Sequence, residues 1–424
     1  LLRMNVVEPP CRVLFKPAGK KLDDARKFGL RFGKKIQENW VGKVEKNTGK
    51  LYWKCTVCGE IFEGALPPQF CPVCGAGQEA FVEYVRENVT FHCDKPLRAA
   101  IIGSGAAAIA AARAIRDRNP TARIDIFTRE AVLPYHRPML PKGLLTKMPD
   151  RIFFLEPESF YREQRFDIHL NTEVRRLDAD SHRLELADGA TVEYDKLVLS
   201  TGARCFIPPI QGVEIAGVHT LREKADLDII KDLVRGKGKR RIVIIGGGLL
   251  GLECAHYLAA LEHELTILEA CPCLLPRQLD AEGAELLQLN IAAHKNVRFI
   301  NGTCVDEIQG KTAVSGVRTA KGDTIACELV IISAGVVSNK ILAEQAGLTV
   351  DRAICVNDHM QTSHPDIYAA GDCAICNQRF DGIWETALDQ GKVAGANLAG
   401  DNMTYHPKVF GATLHAFDTR LFSV

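Results

Sequence analysis

The chain has 424 residues, of which 46% are hydrophobic and 25% charged, with a formal net charge of +1. At roughly 100 to 200 residues per domain this length predicts about three globular units, and the composition excludes a disordered or fibrous protein. A nearly neutral chain has no overall field for nucleic acid or an anionic membrane, so neither partner is expected. The first fifty residues carry 13 basic and 5 acidic groups, which we interpret as the solvated face of an amphipathic helix.

Fifteen cysteines, an odd number, are too few for a disulfide scaffold. They favour metal ligands and free thiols in a reducing compartment. The sequence has neither a signal peptide nor an apolar stretch long enough to span a bilayer, so we expect a cytoplasmic protein. Because the chain begins with Leu1 instead of methionine, we also expect it to be part of a longer polypeptide.

In chain order, residues 1–38 are typical of one strand and one amphipathic helix, and residues 39–50 of a linker. Residues 51–80 contain two CxxC pairs separated by twelve residues: Cys55, Cys58, Cys71 and Cys74. The glycine after each pair permits a positive φ, and four thiolates at this spacing hold one zinc or one iron ion tetrahedrally. The cysteines alone leave a structural zinc ribbon and a redox iron centre equally open, and a flavin site farther along the chain favours iron.

From residue 97 a strand, glycine turn, helix and strand occur in order, and then occur again. The first copy has strands at Arg98–Ile102 and Arg123–Phe127, a hairpin turned at residues 188–189 and a closing segment at residues 197–202. The second has strands at Arg241–Ile245 and 265–269, a hairpin near residues 322–323 and a closing strand from residue 329. The repeat predicts an α/β fold with two nested, doubly wound dinucleotide-binding domains.

The glycine turn of the first copy is a candidate dinucleotide loop because it follows an apolar strand and opens a helix. A pyrophosphate is favoured there by the free amides and the dipole of the helix N-terminus. The loop residues are Gly103, Ser104, Gly105 and Ala108. The second strand ends at Thr128, which is not acidic, so we expect Glu130 to contact the ribose.

The second copy has the same design. Its expected nucleotide-binding residues are Gly246, Gly248, Gly251, Glu253, Glu269 and Gly335. Glu269 ends the second strand, where a carboxylate accepts from a ribose 2′-OH and repels a 2′-phosphate, so NADH is favoured over NADPH. The alternative is a structural turn without a ligand.

A later strand ends in Gly371 and Asp372, and a helix that contains Thr386 and Ala387 begins at Trp384. We expect the aspartate to hold a ribityl hydroxyl and the helix N-terminus to stabilise negative charge on a flavin. The sequence has no cysteine between Cys93 and Cys205, so neither a redox disulfide nor another covalent catalyst is expected at the flavin.

Another CxxC pair, Cys373 and Cys376, follows the late strand directly. We expect these two residues to be packed free thiols, and the alternative is a redox pair.

With these motifs in order, residues 97–400 resemble the FAD-dependent pyridine nucleotide oxidoreductases, specifically the rubredoxin and ferredoxin reductase branch. The segments at 103–108, 130–142, 200–203, 246–251 and 370–373 carry the resemblance. It implies a three-layer, glutathione-reductase-like arrangement and FAD contacts from Arg137, Lys142, Thr201 and Asp372. We expect the neighbouring Gly202 to be a cofactor-binding residue as well. Residues 51–80 resemble a rubredoxin of the rubrerythrin kind, and residues 1–38 the last strand and helix of the flavodoxin-like domain of flavodiiron proteins.

These resemblances imply the following division. Residues 1–38 are the end of a flavodoxin-like domain, residues 39–50 are a linker, and residues 51–80 are the rubredoxin-like domain. The FAD-binding domain consists of residues 96–213 and 340–400, and the NAD-binding domain of residues 214–339. Residues 401–424 are the start of a truncated C-terminal domain.

The division predicts an enzyme that passes electrons from NADH through FAD to an Fe(Cys)4 centre and on to a flavodiiron partner. One alternative is a flavin reductase with a zinc ribbon whose acceptor is a separate ferredoxin, rubredoxin or oxygen. The other is a non-enzymatic nucleotide-sensing scaffold.

Overall fold

The computed structural model describes residues 51–55, 59–73, 75–85, 89–236, 238–408 and 412–423. The strand, helix and linker expected within residues 1–50 lie outside the described residues, as do Cys58 and Cys74.

The strands are β1 Tyr52–Cys55, β2 Ile61–Glu63, β3 Phe81–Glu83, β4 Arg98–Ile102, β5 Arg123–Phe127, β6 Phe166–His169, β7 Val174–Asp178, β8 Arg183–Leu186, β9 Thr191–Glu193, β10 Lys196–Leu199, β11 Ala203–Cys205, β12 Val218–Thr220, β13 Arg241–Ile245, β14 Glu264–Glu269, β15 Val297–Asn301, β16 Val305–Gly310, β17 Val314–Thr319, β18 Thr324–Ala326, β19 Leu329–Ile332, β20 Val336–Ser338, β21 Ile354–Val356, β22 Ile367–Ala369, β23 Ala374–Cys376, β24 Ala412–Ala416 and β25 Thr419–Ser423. The α-helices are α1 Ala106–Arg118, α2 Leu140–Leu145, α3 Asp150–Phe153, α4 Glu158–Glu163, α5 Lys224–Val234, α6 Leu249–Ala259, α7 Ala281–Ala292, α8 Ile341–Gln345 and α9 Trp384–Leu398, and short 3-10 helices lie at Gln78–Ala80 and Arg137–Met139.

The cysteine module, which we call the ribbon (the described residues between 51 and 83), is a small antiparallel sheet in the order β2-β1-β3. Its two knuckle turns have the same backbone form. Gly59 donates its N–H to the Cys55 carbonyl at 2.9 Å, and Gly75 donates to the Cys71 carbonyl at 2.8 Å. Both glycines have φ +77°, which confirms the positive φ expected after each cysteine pair.

The first nucleotide-binding unit is built on a parallel sheet in the order β22-β10-β4-β5-β6. Its central strands are apolar along almost their whole length, because both faces of a parallel sheet are covered. Helix α1 follows β4 and packs against α9, which closes the unit from far along the chain. The antiparallel strands β7, β8 and β9 form the hairpin expected around residues 188–189.

The second unit repeats this plan, with a parallel sheet in the order β12-β19-β13-β14-β15. Strand β13 is flanked by β14 and β19 just as β4 is flanked by β5 and β10. An antiparallel sheet of β16, β17 and β18 contains the second expected hairpin. The structure therefore confirms the internal repeat and the doubly wound α/β fold.

The hydrophobic core joins the ribbon to the reductase part of the molecule. Cys55, Cys71 and Phe81 of the ribbon belong to the same buried cluster as Tyr135 and Met139. Strands β24 and β25 form a hairpin that contacts α6. Among the described residues, no helix is long and apolar enough to cross a membrane.

Candidate cofactor and metal sites

A cavity of about 660 Å³ opens at the carboxyl ends of the first sheet and reaches α6 of the second unit. The first sheet and α9 bring most of the expected flavin contacts to its wall. The expected residues that line it are Gly103, Ser104, Gly105, Glu130, Arg137, Thr201, Gly202, Glu253, Gly371, Asp372 and Ala387. Ala108, Lys142 and Thr386 do not line it. Ala108 is buried inside α1, the Lys142 Nζ atom lies 3.4 Å from the Cβ position of Gly75 in the ribbon, and the Thr386 hydroxyl donates to Asp381 at 3.2 Å.

The turn at Gly103 connects β4 to the start of α1. Gly103 has φ +110°, and a Cβ atom placed on it would lie 2.1 Å from the Ser200 carbonyl oxygen. The turn therefore requires glycine both for its backbone angle and for its distance from β10. Helix α1 begins at Ala106 without a side-chain cap. Its first amides are thus available to an anion at the cavity wall.

Glu130 is held on the cavity wall by two donors. The Tyr135 hydroxyl donates to Oε2 and the Arg137 guanidinium to Oε1, each at 2.7 Å. Although burial opposes the charge of Arg137, the neighbouring Tyr135 and Glu130 raise the pKa of its guanidinium. The Glu130 backbone amide donates to the Thr128 hydroxyl at 3.2 Å, and that hydroxyl also accepts from Ser104 at 2.9 Å.

Asp372 follows β22 and is paired with a residue that the sequence reasoning missed. Arg222 donates from Nη2 to Asp372 Oδ2 at 2.7 Å and from Nε to the Ala203 carbonyl at 3.0 Å. Arg137 in turn donates to the Arg222 carbonyl at 2.6 Å. Arg222 lies two residues after the end of β12 in the second unit, so this network ties the two units together. No local pattern marks Arg222, because its partner is 150 residues away.

Asn339 is another missed wall residue. The Thr201 hydroxyl donates to the Asn339 carbonyl at 2.6 Å, and the Asn339 amide donates back to the Thr201 carbonyl at 2.9 Å. This reciprocal pair joins the end of β10 to the segment after β20. It positions the backbone of Thr201 and Gly202 on the cavity wall.

The second glycine turn has the geometry of the first. Gly246 has φ +117°, and its Cβ would lie 2.2 Å from the Ser333 carbonyl oxygen. The buried Glu269 carboxylate accepts from the Gly247 amide at 2.6 Å and from the Cys271 amide at 2.8 Å. Gly246, Gly248, Gly251, Glu269 and Gly335 lie outside the wall of the main cavity, so the two loops form separate parts of the site.

Glu253 is the member of the second set that lines the main cavity. It lies on α6, beyond the first turn of that helix. Burial raises the pKa of its carboxyl to about 7, and the positive charge of Lys142 opposes that shift. The carboxyl group therefore changes charge close to neutral pH.

Two of the four expected metal ligands lie within the described residues, and both fit a metal. Cys55 and Cys71 are buried, at 0% and 2% exposed, and each begins one of the two matching knuckle turns. Cysteine thiolates are ligands that tetrahedral zinc and iron centres use. Cys58 and Cys74 lie outside the described residues.

Cys373 and Cys376 are separate, buried free thiols. Both sulfurs donate to backbone carbonyls, Cys373 to Leu199 and Cys376 to Asn357. Burial raises both thiol pKa values, that of Cys376 to about 11, so neither is a good nucleophile at neutral pH. This placement agrees with packed free thiols.

The sequence indicated no histidine cluster, but the fold brings His182, His364 and Asp366 together, with their ligand atoms within 4.8 Å. The His364 Nδ1 atom already accepts the Asp366 amide at 3.2 Å. Its tautomer therefore places a proton on the other ring nitrogen, which makes the group a poor ready-made metal site.

Comparison with known protein families gives two matches, which do not overlap. Residues 97–394 match the model described as pyridine nucleotide-disulphide oxidoreductase. Residues 53–82 match the model of the rubrerythrin, rubredoxin-like domain.

Individual relatives and solved structures agree with the larger match. An NADH oxidase from Methanocaldococcus jannaschii is 34% identical over 325 residues, which cover 73% of this chain and 72% of the relative. A rubredoxin-NAD(+) reductase from Pseudomonas putida is 31% identical over 309 residues, covering 71% of this chain and 79% of the relative. The crystal structure of a ferredoxin reductase from Rhodopseudomonas palustris superimposes with a TM-score of 0.72 at 28% identity, covering 76% of this chain and 81% of that one.

Proposed function

Since this chain belongs to the pyridine nucleotide-disulphide oxidoreductase family, as an FAD-dependent NAD(P)H oxidoreductase with a rubredoxin-like domain, we propose that it carries electrons from NADH through FAD to an Fe(Cys)4 centre in its own ribbon. The observation that carries the proposal is the position of the ribbon. Its Lys54 is ion-paired with Glu385, which adjoins Trp384 on the cavity wall. An acceptor at that place is close to any flavin held in the cavity.

The first unit binds FAD in this proposal. Gly103, Gly105 and the start of α1 hold the pyrophosphate, because the amides and the helix dipole favour an anion there. Glu130 takes the adenosine ribose, and Asp372 the ribityl chain. Arg137, Lys142, Thr201, Gly202 and Gly371, with Ser104, Ala108, Thr386 and Ala387, complete the first-unit contacts proposed for FAD.

The second unit binds the nicotinamide nucleotide. Gly246, Gly248 and Gly251 accommodate its pyrophosphate, and Gly335 and Glu253 lie where the second unit faces the first. Glu269 accepts from the ribose 2′-OH and repels a 2′-phosphate, which selects NADH. In the structure its two oxygens accept the Gly247 and Cys271 amides, so the same carboxylate also holds the loop in its binding shape.

The cofactors have complementary electron counts. A bound FAD would supply two-electron chemistry toward a nicotinamide and one-electron chemistry toward a one-iron centre. The chain positions these groups and needs no covalent nucleophile for that purpose. The hydrogen bonds from Arg222 to Asp372 and from Thr201 to Asn339 fix the cavity walls of the two units relative to each other.

The partner that receives the electrons is a flavodiiron protein domain, and the setting is the cytoplasm. Both parts of the proposal rest on the sequence of residues 1–38 and on the cysteine usage. The residues that resemble the flavodoxin-like domain lie outside the described part of the chain.

An anaerobic NADH titration combined with metal analysis tests the relay. We expect one iron per chain, bleaching of FAD by NADH, and then loss of the visible Fe(III) thiolate absorption. Cys71→Ser should leave FAD bleaching intact and abolish transfer to the ribbon. The exposed Cys304 provides a matched control, and Cys304→Ser should behave as the parent does.

Zinc in place of iron would contradict the relay and would favour a reductase with a structural ribbon and a separate acceptor. Failure of NADH to bleach FAD would contradict the reductase activity itself and would favour a nucleotide-sensing scaffold.

A further inference from the structure

The ribbon contacts the start of α9 through a largely buried ion pair. Lys54 Nζ lies 2.7 Å from Glu385 Oε2, and the two side chains are 21% and 2% exposed. Burial raises the pKa of the Glu385 carboxyl, and the positive charge of Lys54 opposes that shift.

The knuckle turn after Cys55 packs on the same turn of α9. A Cβ atom on Gly59 would lie 2.6 Å from Leu388 Cδ1 and 2.7 Å from Glu385 Oε1. The backbone of the knuckle is therefore in direct contact with the helix. Because Trp384, one residue before Glu385, lines the cavity, this contact lies at the cavity mouth.

The rest of the ribbon edge reaches a second element of the same mouth. Glu60 lies 3.5 Å from the buried His136 ring, and that ring lies 5.8 Å from the ring of Trp384. Lys54 and Glu385 form an ion pair of this interface, 2.7 Å long.

The chain also keeps the ribbon close. Residues 84–97 connect β3 of the ribbon to β4 of the first unit. A short connection of this kind gives the ribbon an effective concentration at the first unit in the millimolar range. A weak interface between the ribbon and the first unit therefore stays occupied.

We propose that the ribbon is docked on the mouth of the flavin cavity by the Lys54–Glu385 pair, and that it thereby excludes a separate rubredoxin-type acceptor protein from that surface. The inference rests on the proposed function in one respect, namely that electrons leave the flavin at this mouth. Two proteins cannot cover Trp384 and His136 at once, so a free acceptor competes with the ribbon of the same chain.

Two substitutions and a matched control test the docking. Lys54→Glu places two carboxylates together and Lys54→Ala removes the partner of a buried charge, so both should weaken the docking of the ribbon. Lys239→Glu makes the same charge change at the exposed Lys239–Glu262 pair, which is 3.7 Å long and lies next to β13 of the second unit. It should leave the ribbon docked.

The first measurement is hydrogen exchange of the metal-loaded, oxidised protein without NADH. Amides of residues 59–63 and of the first turn of α9 should exchange about tenfold faster in both Lys54 variants, since a loss of roughly 1.4 kcal/mol is a factor of ten. The control should match the parent protein. Unchanged exchange in the Lys54 variants would overturn the docking.

The second measurement is the NADH-driven reduction of an added one-iron rubredoxin under anaerobic conditions. We expect the Lys54 variants to reduce it about tenfold faster than the parent, with NADH bleaching of FAD unchanged. Faster exchange without faster reduction of the added protein would overturn the exclusion.

Hydrogen exchange needs no electron transfer, so it tests the docking even if the ribbon holds zinc. Failure of the proposed relay is instead visible in the metal analysis and the NADH titration of the parent protein.

Discussion

Gly103 and Gly105 lie in one loop but have different conformations. Gly103 has φ +110°, and its Cβ would lie 2.1 Å from a backbone oxygen of β10. Gly105 has φ −80°, and no heavy atom lies within 4 Å of its Cβ position. The first glycine is therefore required by the fold, whereas the second leaves room next to the helix N-terminus where an anion is expected.

Alanine substitutions separate these two roles. Gly103→Ala should lower the free energy of unfolding of the FAD-free protein by more than about 2 kcal/mol, because it combines a left-handed backbone with a clash. Gly105→Ala should cost no more than about 1 kcal/mol, since it only worsens an N-cap. It should nevertheless weaken FAD binding. Urea unfolding and FAD titration check both, and equal stability losses would contradict the assignment.

Glu253 makes stability depend on pH. Its folded pKa is about 7 and its ordinary value 4.5, so the folded chain binds the proton more tightly than the unfolded chain. The contribution of Glu253 to the free energy of unfolding is fully present below about pH 4.5 and is lost as the pH rises through about 7. Between these two pH values we expect the free energy of unfolding to fall by about 1 to 3 kcal/mol, a range that allows for the partial exposure of the side chain.

The measurement is urea unfolding of the FAD-free protein at pH 5 and at pH 7.5. Glu253→Gln has no proton to lose, so its unfolding free energy should change less between these two pH values than that of the parent. Glu282→Gln, at an exposed position in the first turn of α7, is the control. A pH dependence as steep in Glu253→Gln as in the parent would contradict the assignment.

For single residues, the sequence predicts the conformation where neighbouring residues in the chain determine it. The positive φ of Gly59 and Gly75 follows from the residue after each CxxC pair, and both were expected. Arg222 and Asn339 were not, because their partners are 150 and 138 residues away along the chain. Side chains that join two domains carry no periodic or spacing signal in either segment.

Among the elements, α9 and α1 approach closely because glycines face backbone. A Cβ atom on Gly391 would lie 2.2 Å from the Ala107 carbonyl oxygen, and one on Gly395 would lie 2.2 Å from that of Ala111. The sequence predicts both helices from their flanking strands and turns. The sequence does not reveal that the glycines of α9 pack on the alanines of α1, since the two helices are far apart along the chain.

The contact predicts an exception to helix propensity. Alanine normally stabilises a helix interior by roughly 0.5 to 1 kcal/mol relative to glycine. Gly395→Ala should instead destabilise the protein by about 1 to 3 kcal/mol, because the two helices must separate. Gly283→Ala in α7 is the matched control, since its Cβ meets only side-chain atoms at 3.1 Å or more. In thermal unfolding, Gly395→Ala should lower the Tm clearly more than Gly283→Ala does, or the two variants should shift it in opposite directions. Equal Tm shifts in the two variants would refute the close-packing argument.

At the scale of the whole molecule, the ribbon and the nucleotide-binding units differ in how they are stabilised. Each nucleotide-binding unit has a buried five-stranded parallel sheet, whereas the ribbon has one sheet of short strands. The ribbon contributes Cys55, Cys71 and Phe81 to a cluster shared with the reductase part. A module of that size requires a metal or a partner surface to stay folded.

Loss of the metal should therefore unfold the ribbon and leave the reductase part folded. Structural metal ions contribute about 10 to 16 kcal/mol to small cysteine modules, more than the shared apolar contacts replace. In Cys55→Ser we expect the ribbon amides to lose their protection from hydrogen exchange, while β4, β10 and β13 stay protected and FAD stays bound. The exposed Cys304→Ser variant should keep both sets protected. Joint loss of protection in the ribbon and in these three strands would mean that the shared cluster makes one cooperative unit of the ribbon and the nucleotide-binding units.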